Sequence, residues 1–303
     1  MNKATFRNTL LLLLTATIWG FSFVAQSKGM EHVGPLTFNG VRAVLGGLVL
    51  VPFAAMQAAS NRKKGIKTDR RALLWGGLWC GIFLFFASSL QQYGILYTSV
   101  GKSGFITAFY IVLVPIFGLF LKKKTGALVW VSALIALVGL YLLCITEQFS
   151  VNLGDVLTLG CAVLFAGHIL VIDHFASKVD GVTLSMLQFF VNGVLACSAA
   201  LVFDKPSLAS ILDARWPILY AGILSCGVAY TLQIIGQKGM NPAVASLILS
   251  LESCIAVLAG WLLLNQSLSA RELVGCAVMF VAIILAQLPS KKAANITLQE
   301  TTL

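Results

Sequence analysis

The stretch SLILSLESCIAVLAGWLLL, Ser246–Leu264, decides the architecture of this chain. Its apolar residues run on without the alternation of a half-buried strand. It matches the ~20 apolar residues that cross a ~30 Å hydrocarbon core as a helix. Near its middle stands one carboxylate, Glu252. An unpaired charge at that depth costs several kcal/mol, at least ~2.5 on insertion scales, so Glu252 demands either a function or a structural partner.

Stretches of the same kind recur along the chain. The 303 residues are 58% hydrophobic and only 11% charged, with a mean hydropathy of +0.92, whereas soluble domains are about 25% charged. Lipid gives the backbone no hydrogen-bond partner, so each span must be a helix. The short alternating strands of a membrane barrel are missing. Ten spans are predicted, at 8–27, 35–56, 72–95, 103–121, 127–146, 154–172, 182–203, 216–236, 242–264 and 270–288. Charged or turn-forming segments separate them: GMEHVGP (Gly29–Pro35), NRKKGIKTDRR (Asn61–Arg71), KKKTG (Lys122–Gly126), DKPS (Asp204–Ser207) and KGMNP (Lys238–Pro242).

Basic residues set the orientation. With the N-terminus inside, fifteen of the 21 Lys and Arg fall in cytoplasmic segments, among them Arg62, Lys63, Lys64, Lys122 and Lys123. Five fall outside (Lys28, Lys102, Lys205, Arg215 and Arg271), and Arg42 lies within a span. Both termini are therefore expected in the cytoplasm. This bias accounts for the net charge of +10. Charge spread over insertion-determining loops is not the single patch that a nucleic acid requires.

Several other readings are weaker. LLLLLTATIWGFSFVAQ (Leu10–Gln26) is long for the apolar region of a cleaved signal and reads as a retained span. The seven cysteines lie in apolar runs without CxxC spacing, which suits packing rather than a disulfide framework or metal site. Asn295–Thr297 forms a glycosylation sequon that a cytoplasmic tail would not use. Three histidines with no HExxH, GxSxG or Walker A pattern argue against an enzyme, and no cofactor is expected. Without an ATPase motif, any transport would draw on a gradient of substrate or ion.

The chain repeats itself. An offset of 146 residues sets Trp19 on Phe165, Thr37 on Thr183 and Arg42 on Gln188. Further on, VGKSGFITAFYIVLVP lies over KGMNPAVASLILSLES, placing Gly101 on Gly239 and Pro115 on Ser253. Each half carries five predicted spans, an odd number, so the second half would enter the membrane inverted. Such repeats place a binding site at the midplane between them.

These residues resemble a drug/metabolite transporter of the EamA type, built from two EamA repeats. The resemblance is carried by IWGFSFV in the first span, VRAVLGG with Arg42 in the second, and LQQYGILYTSVGKSGFITAFYIVLVP (Leu90–Pro115). GVAYTLQIIGQK (Gly227–Lys238) and Ala245–Leu264 continue it, and together these pieces cover about residues 10–288. It implies an all-α membrane protein of ten transmembrane helices in two inverted five-helix repeats, 8–146 and 154–288, with 289–303 as a cytoplasmic tail. It also implies transport by alternating access, usually export, through a cavity lined mainly by helices 1, 3, 4, 6, 8 and 9. Two departures stand out. Relatives often carry Glu-Pro where this chain has Glu252-Ser253, so helix nine lacks that kink-prone proline. They often carry an acidic residue where this chain has Gln266.

Polarity inside the spans makes Thr107, Tyr110, His168 and Glu252 candidate substrate-binding residues, and the cavity helices that the resemblance implies add Trp19, Gln91, Tyr230 and Gln233. Ser103, Thr107 and Tyr110 share one helical face. Gln92 and Tyr97 are further candidates. Arg42 and Glu252 are the two ionised side chains deep in the spans, as coupling or structural residues. Because helix 2 is not a usual cavity helix in the family, Arg42 reads as a brace to neighbouring carbonyls or a carboxylate before it reads as a coupling residue. Glu252 reads as a cavity residue or as an interhelical bond. His168 could couple protons or simply pack. Asp173, His174 and Asp155 lie at helix ends, where water would reach them. Gly77-x-x-x-Gly81 reads as a close helix contact.

The expected function is secondary export of small metabolites such as amino acids across the cell (inner) membrane, with a proton or counter-substrate as the possible coupling partner. The alternatives are a sugar-phosphate or nucleotide-sugar antiporter, which would want several cavity Lys or Arg, and a non-transporting membrane scaffold. Sequence gives no oligomeric state. A reporter active only outside the membrane, fused to Leu303, is expected to give no signal; a strong signal would reverse the orientation.

Overall fold

The computed structural model describes residues 3–66, 68–98, 100–123, 125–144, 152–264 and 269–288. Among these residues every regular element is a helix: α1 (Lys3–Gly29), α2 (Pro35–Lys63), α3 (Arg70–Tyr97), α4 (Val100–Thr107), α5 (Tyr110–Phe120), α6 (Ala127–Cys144), α7 (Leu153–Ala176), α8 (Gly181–Phe203), the short α9 (Leu208–Asp213), α10 (Arg215–Leu219), α11 (Tyr230–Gln237), α12 (Pro242–Leu249), α13 (Glu252–Leu264) and α14 (Ala270–Ala286). A π-helical segment, Tyr220–Ala229, joins α10 to α11.

Polar caps mark where the helices begin. Asp69 accepts from the Ala72 amide at the start of α3, and Asp180 from the Thr183 amide at the start of α8. Asn152 with Asp155, and Ser269 with Glu272, form reciprocal capping boxes on α7 and α14. Each satisfies amide groups that the first turn leaves without an intrahelical partner.

Among the described residues, 8 helical stretches are long and apolar enough to cross a membrane, and Ala127–Leu142 is a shorter apolar one. The chain is thus a multi-pass helical membrane protein. The fifth and tenth predicted spans are the short ones. α14 has 17 residues, a rise of about 25 Å at ~1.5 Å per residue, just under the hydrocarbon thickness. The end of the fifth span and the tail at 289–303 lie outside the described residues.

Two spans expected to be continuous are broken. Between α4 and α5 the chain tightens into i→i+3 bonds: the Phe109 amide donates to the Ile106 carbonyl, and Ile111 to Ala108. Pro115, inside α5, follows that break. The same tightening separates α12 from α13, where Leu251 donates to Ile248 and Ser253 to Ser250. Helix nine is therefore interrupted without the proline. Here the hydroxyls of Ser246 and Ser250 donate to the carbonyls three residues earlier, of Ala243 and Leu247. Such back-bonding bends helices.

Small residues let the helices approach. α2 runs along α8, α3 lies against α7 and α8, α6 against α14, and α1 against α13, α11 and the π segment. A Cβ on Gly77 would stand 2.6 Å from Leu187, and one on Gly81 would stand 2.5 Å from Val191, so this pair is a close contact with α8. At Gly154, at the head of α7, the three nearest atoms are all backbone. A Cβ there would lie 2.7 Å from the Gly94 carbonyl oxygen and 2.9 Å from both the Thr98 nitrogen and the Tyr97 carbonyl carbon. Backbone atoms cannot swing aside. Gly154→Ala is expected to lower the thermal midpoint of the detergent-purified protein by about 1–3 kcal/mol equivalent, whereas Gly126→Ala, with no atom within 4 Å, should leave it unchanged.

Candidate functional site

The two breaks meet. Tyr110, the first residue after one break, donates its phenol hydroxyl to Glu252 Oε1 at 3.1 Å. Glu252 is the first residue after the other break. Beside them the Ser253 hydroxyl donates to the Gly104 carbonyl at 3.3 Å, so one broken helix satisfies a backbone group of the other.

Around this junction lies a cavity. Trp19, Ser22, Phe23 and Gln26 enter it from α1, Arg42 from α2 and Gln91 from α3. Phe165 and Ile169 come from α7, Ser225 from the π segment, and Tyr230 and Gln233 from α11. Leu249, Tyr110 and Glu252 complete it. The π turns widen the helix just before Tyr230, a distortion common at functional sites. The Trp19 and Tyr230 rings pack with centroids 4.5 Å apart and planes at 55°. The space is about 40 Å³, measured by the positions open to the centre of a water molecule. On that measure one water needs about 10–15 Å³. The cavity takes a few waters, and a metabolite enters only if helices separate.

Several of its polar atoms have no partner. Trp19 Nε1, Arg42 Nε and Gln233 Oε1 are buried and unbonded. Buried polar groups in proteins are nearly always satisfied, so each such atom asks for an explanation. These three belong to residues that line the cavity, where a ligand can complete them; other unbonded atoms, on Gln92, Ser103, Ser132, His168, Gln188 and Gln237, lie outside it.

Seven of the nine residues singled out from sequence thus meet: Trp19, Arg42, Gln91, Tyr110, Tyr230, Gln233 and Glu252. Thr107 and His168 stand behind the wall. Thr107 is 1% exposed and receives a bond from Gln91 Nε2 at 3.4 Å. The helix break separates it from Tyr110, so the expected polar stripe of Ser103, Thr107 and Tyr110 is not one continuous face. His168 is fully buried, with Nε2 3.0 Å from Gln188 Oε1 and its ring among Tyr230 and Phe165. Gln92 donates to Gln26, and Tyr97 is exposed at the end of α3.

Among the described residues Arg42 pairs with no carboxylate. Its Nη2 donates to Asn39 Oδ1 on its own helix at 3.4 Å, and its guanidinium lies 5.4 Å from the Phe38 ring centre. Asn39 in turn bonds Ser89 on α3 and Asn192 on α8. Among the described residues Arg42 and Glu252 make no ion pair with each other. Asp173, expected in water, instead pairs with Lys123 and ties α7 to the turn after α5. Asp155 accepts the Thr98 hydroxyl at 2.8 Å.

Sequence reading missed Ser22, Gln26, Ser225 and the apolar lining. The recurrence of LQQYG (Leu90–Gly94) as LQIIG (Leu232–Gly236) marks only Gln91 and Gln233, both already candidates and both in the cavity lining. Among the described residues no cluster of His, Cys, Asp and Glu could hold a metal.

The sequence profile of the EamA-like transporter family matches residues 7–145 and again 152–288. The chain belongs to this family. An uncharacterized transporter of Archaeoglobus fulgidus is 30% identical over 278 residues, which is 91% of this chain and 84% of that protein. The uncharacterized inner membrane transporter YedA of Escherichia coli K12 is 25% identical over 285 residues, covering 89% of this chain and 87% of YedA. PecM of Dickeya dadantii is 23% identical, covering 89% of each. A solved crystal structure shares the fold with a TM-score of 0.74 at 17% identity, over 92% of this chain and 96% of that one. The family member described here is a membrane transporter.

The two positions on either side of the break give a direct test. In a cysteine-free background, Tyr110→Cys should react with a small water-soluble thiol reagent and Thr107→Cys should react at least tenfold more slowly. Equal rates would place Thr107 in the cavity.

Proposed function

We propose that this transporter is a secondary exporter of small metabolites, working by alternating access between two inverted five-helix repeats, 8–146 and 154–288. On this reading both termini and the 289–303 tail are cytoplasmic. The observation that carries it is the junction of Tyr110 and Glu252, where two broken helices, one from each half, meet at a polar cavity. Helix contacts support the repeat: α1 lies against the π segment and α11 much as α7 lies against α3, and α2 runs beside α8. Helices broken at the midplane are the recurrent way such proteins build a site.

The mechanism follows from the environment of Glu252. Low dielectric disfavours a charged carboxylate and hydration favours it. A group exposed first to one side and then to the other, in surroundings of different wetness, has the two proton affinities that coupling needs. In the closed arrangement the Tyr110 hydroxyl holds the carboxylate. When the halves part, water or substrate replaces that bond. Glu252 then carries either the coupling proton or a cationic group of the substrate.

The rivals fit less well. A sugar-phosphate antiporter would want several cations, and among the described lining residues Arg42 is the one cation. A scaffold has no use for unbonded Trp19, Arg42 and Gln233 atoms around a cavity.

Flux in proteoliposomes against a metabolite panel tests the reading. Glu252→Gln keeps shape and hydrogen bonding but removes titration. It is expected to reach the membrane at normal abundance, with flux reduced tenfold or more and its pH dependence flattened. Normal flux with an unchanged pH profile would make the carboxylate structural.

A further inference from the structure

The two halves differ at one corresponding pair of positions. The offset of 146 residues that sets Arg42 on Gln188 also sets Ser22 on His168. In the second half the corresponding side chains bond each other: His168 Nε2 lies 3.0 Å from Gln188 Oε1, both side chains fully buried, while His168 Nδ1 and Gln188 Nε2 have no partner among the described residues. In the first half the small Ser22 leaves Arg42 without that partner, and both line the cavity.

Arg42 is therefore a buried cation with unused donors. It is 6% exposed, and among the described residues its Nε has no partner and its side chain makes one hydrogen bond, the long 3.4 Å contact to Asn39. A guanidinium offers five N–H donors in a planar fork that matches a carboxylate. A buried cation is strongly disfavoured without a compensating partner. The facing acid in the cavity, Glu252, is not bonded to it and is held by Tyr110. A second buried donor, Trp19 Nε1, is also unbonded in the same wall.

We propose that Arg42 is the anion-binding residue of the cavity and that the substrate carries a carboxylate there. This rests on the transport reading and names the substrate class for it. A singly charged carboxylate suits one guanidinium. A phosphate dianion would want a second cation and would meet repulsion from Glu252. Ser22 is the permissive position: its small side chain keeps the guanidinium open to the cavity, where His168 closes the equivalent place in the other half.

The test uses binding, so that it stands apart from flux. Purified protein in lipid nanodiscs is challenged with acetate, propionate and benzoate, each against its neutral amide, and thermal stabilisation is measured. At least one carboxylate should bind tenfold or more tightly than its amide. Arg42→Gln should abolish that preference, and Arg42→Lys should weaken carboxylate binding severalfold because a point charge lacks the fork. Ser22→His, which leaves Arg42 in place but fills the space before it, should also remove the preference; this variant serves if Arg42→Gln does not fold. No preference for any carboxylate over its amide overturns the proposal, as does an unchanged preference in folded Arg42→Gln. Carboxylate binding without any flux sinks the transport reading and leaves this site standing. Flux without carboxylate preference does the reverse.

Discussion

Hydrocarbon offers no hydrogen bond, and that constraint governs the rest of the structure. A helix can break inside a membrane only where protein takes over the freed backbone groups. The breaks at Ala108–Phe109 and Ser250–Leu251 meet this condition in two ways. Each tightens to i→i+3 bonds, and each lies against the other, so that Ser253 serves the Gly104 carbonyl while Tyr110 serves Glu252. Neither break is tolerable alone. Their pairing fixes a polar point in the middle of an apolar bundle.

Those polar bonds do not hold the bundle together. Interhelical hydrogen bonds in membranes contribute about 0.6 kcal/mol on average and seldom more than ~2. Packing carries the fold, through glycines that bring backbones into contact: Gly20 against Ile255, Gly94 against Thr158, Gly139 against Met279. The polar groups are instead free to specify geometry. Asn39 illustrates this, joining α2 to α3 and α8 while its carbonyl orients Arg42.

The cavity combines features that a static core avoids. It sets a cation, a carboxylate, tilted aromatic rings in contact and unbonded donors around a space of about 40 Å³. A sealed core of that composition would be costly, because half-satisfied polar networks are worse than apolar packing. A site that opens and fills in turn can carry it, since ligand or water completes the bonds that the closed arrangement leaves open.

Sequence alone determined the class of the molecule. Long apolar runs admit no fold other than membrane helices, and the position of Glu252 within one of them marked the site, because a carboxylate at that depth is too expensive to be incidental. The residue types that gathered at the cavity were legible for the same reason. Tertiary structure decided which of them face one another. Periodicity assumes a continuous helix, so it joined Thr107 to Tyr110 across a break that turns them apart. It could not foresee that helix nine is interrupted at Ser250 without a proline, with the Ser246 and Ser250 hydroxyls bonded to the carbonyls three residues back. Nor could it tell that Gln188 takes His168 on another helix as a partner while Arg42 bonds only Asn39 on its own helix among the described residues, beside a serine one helix away.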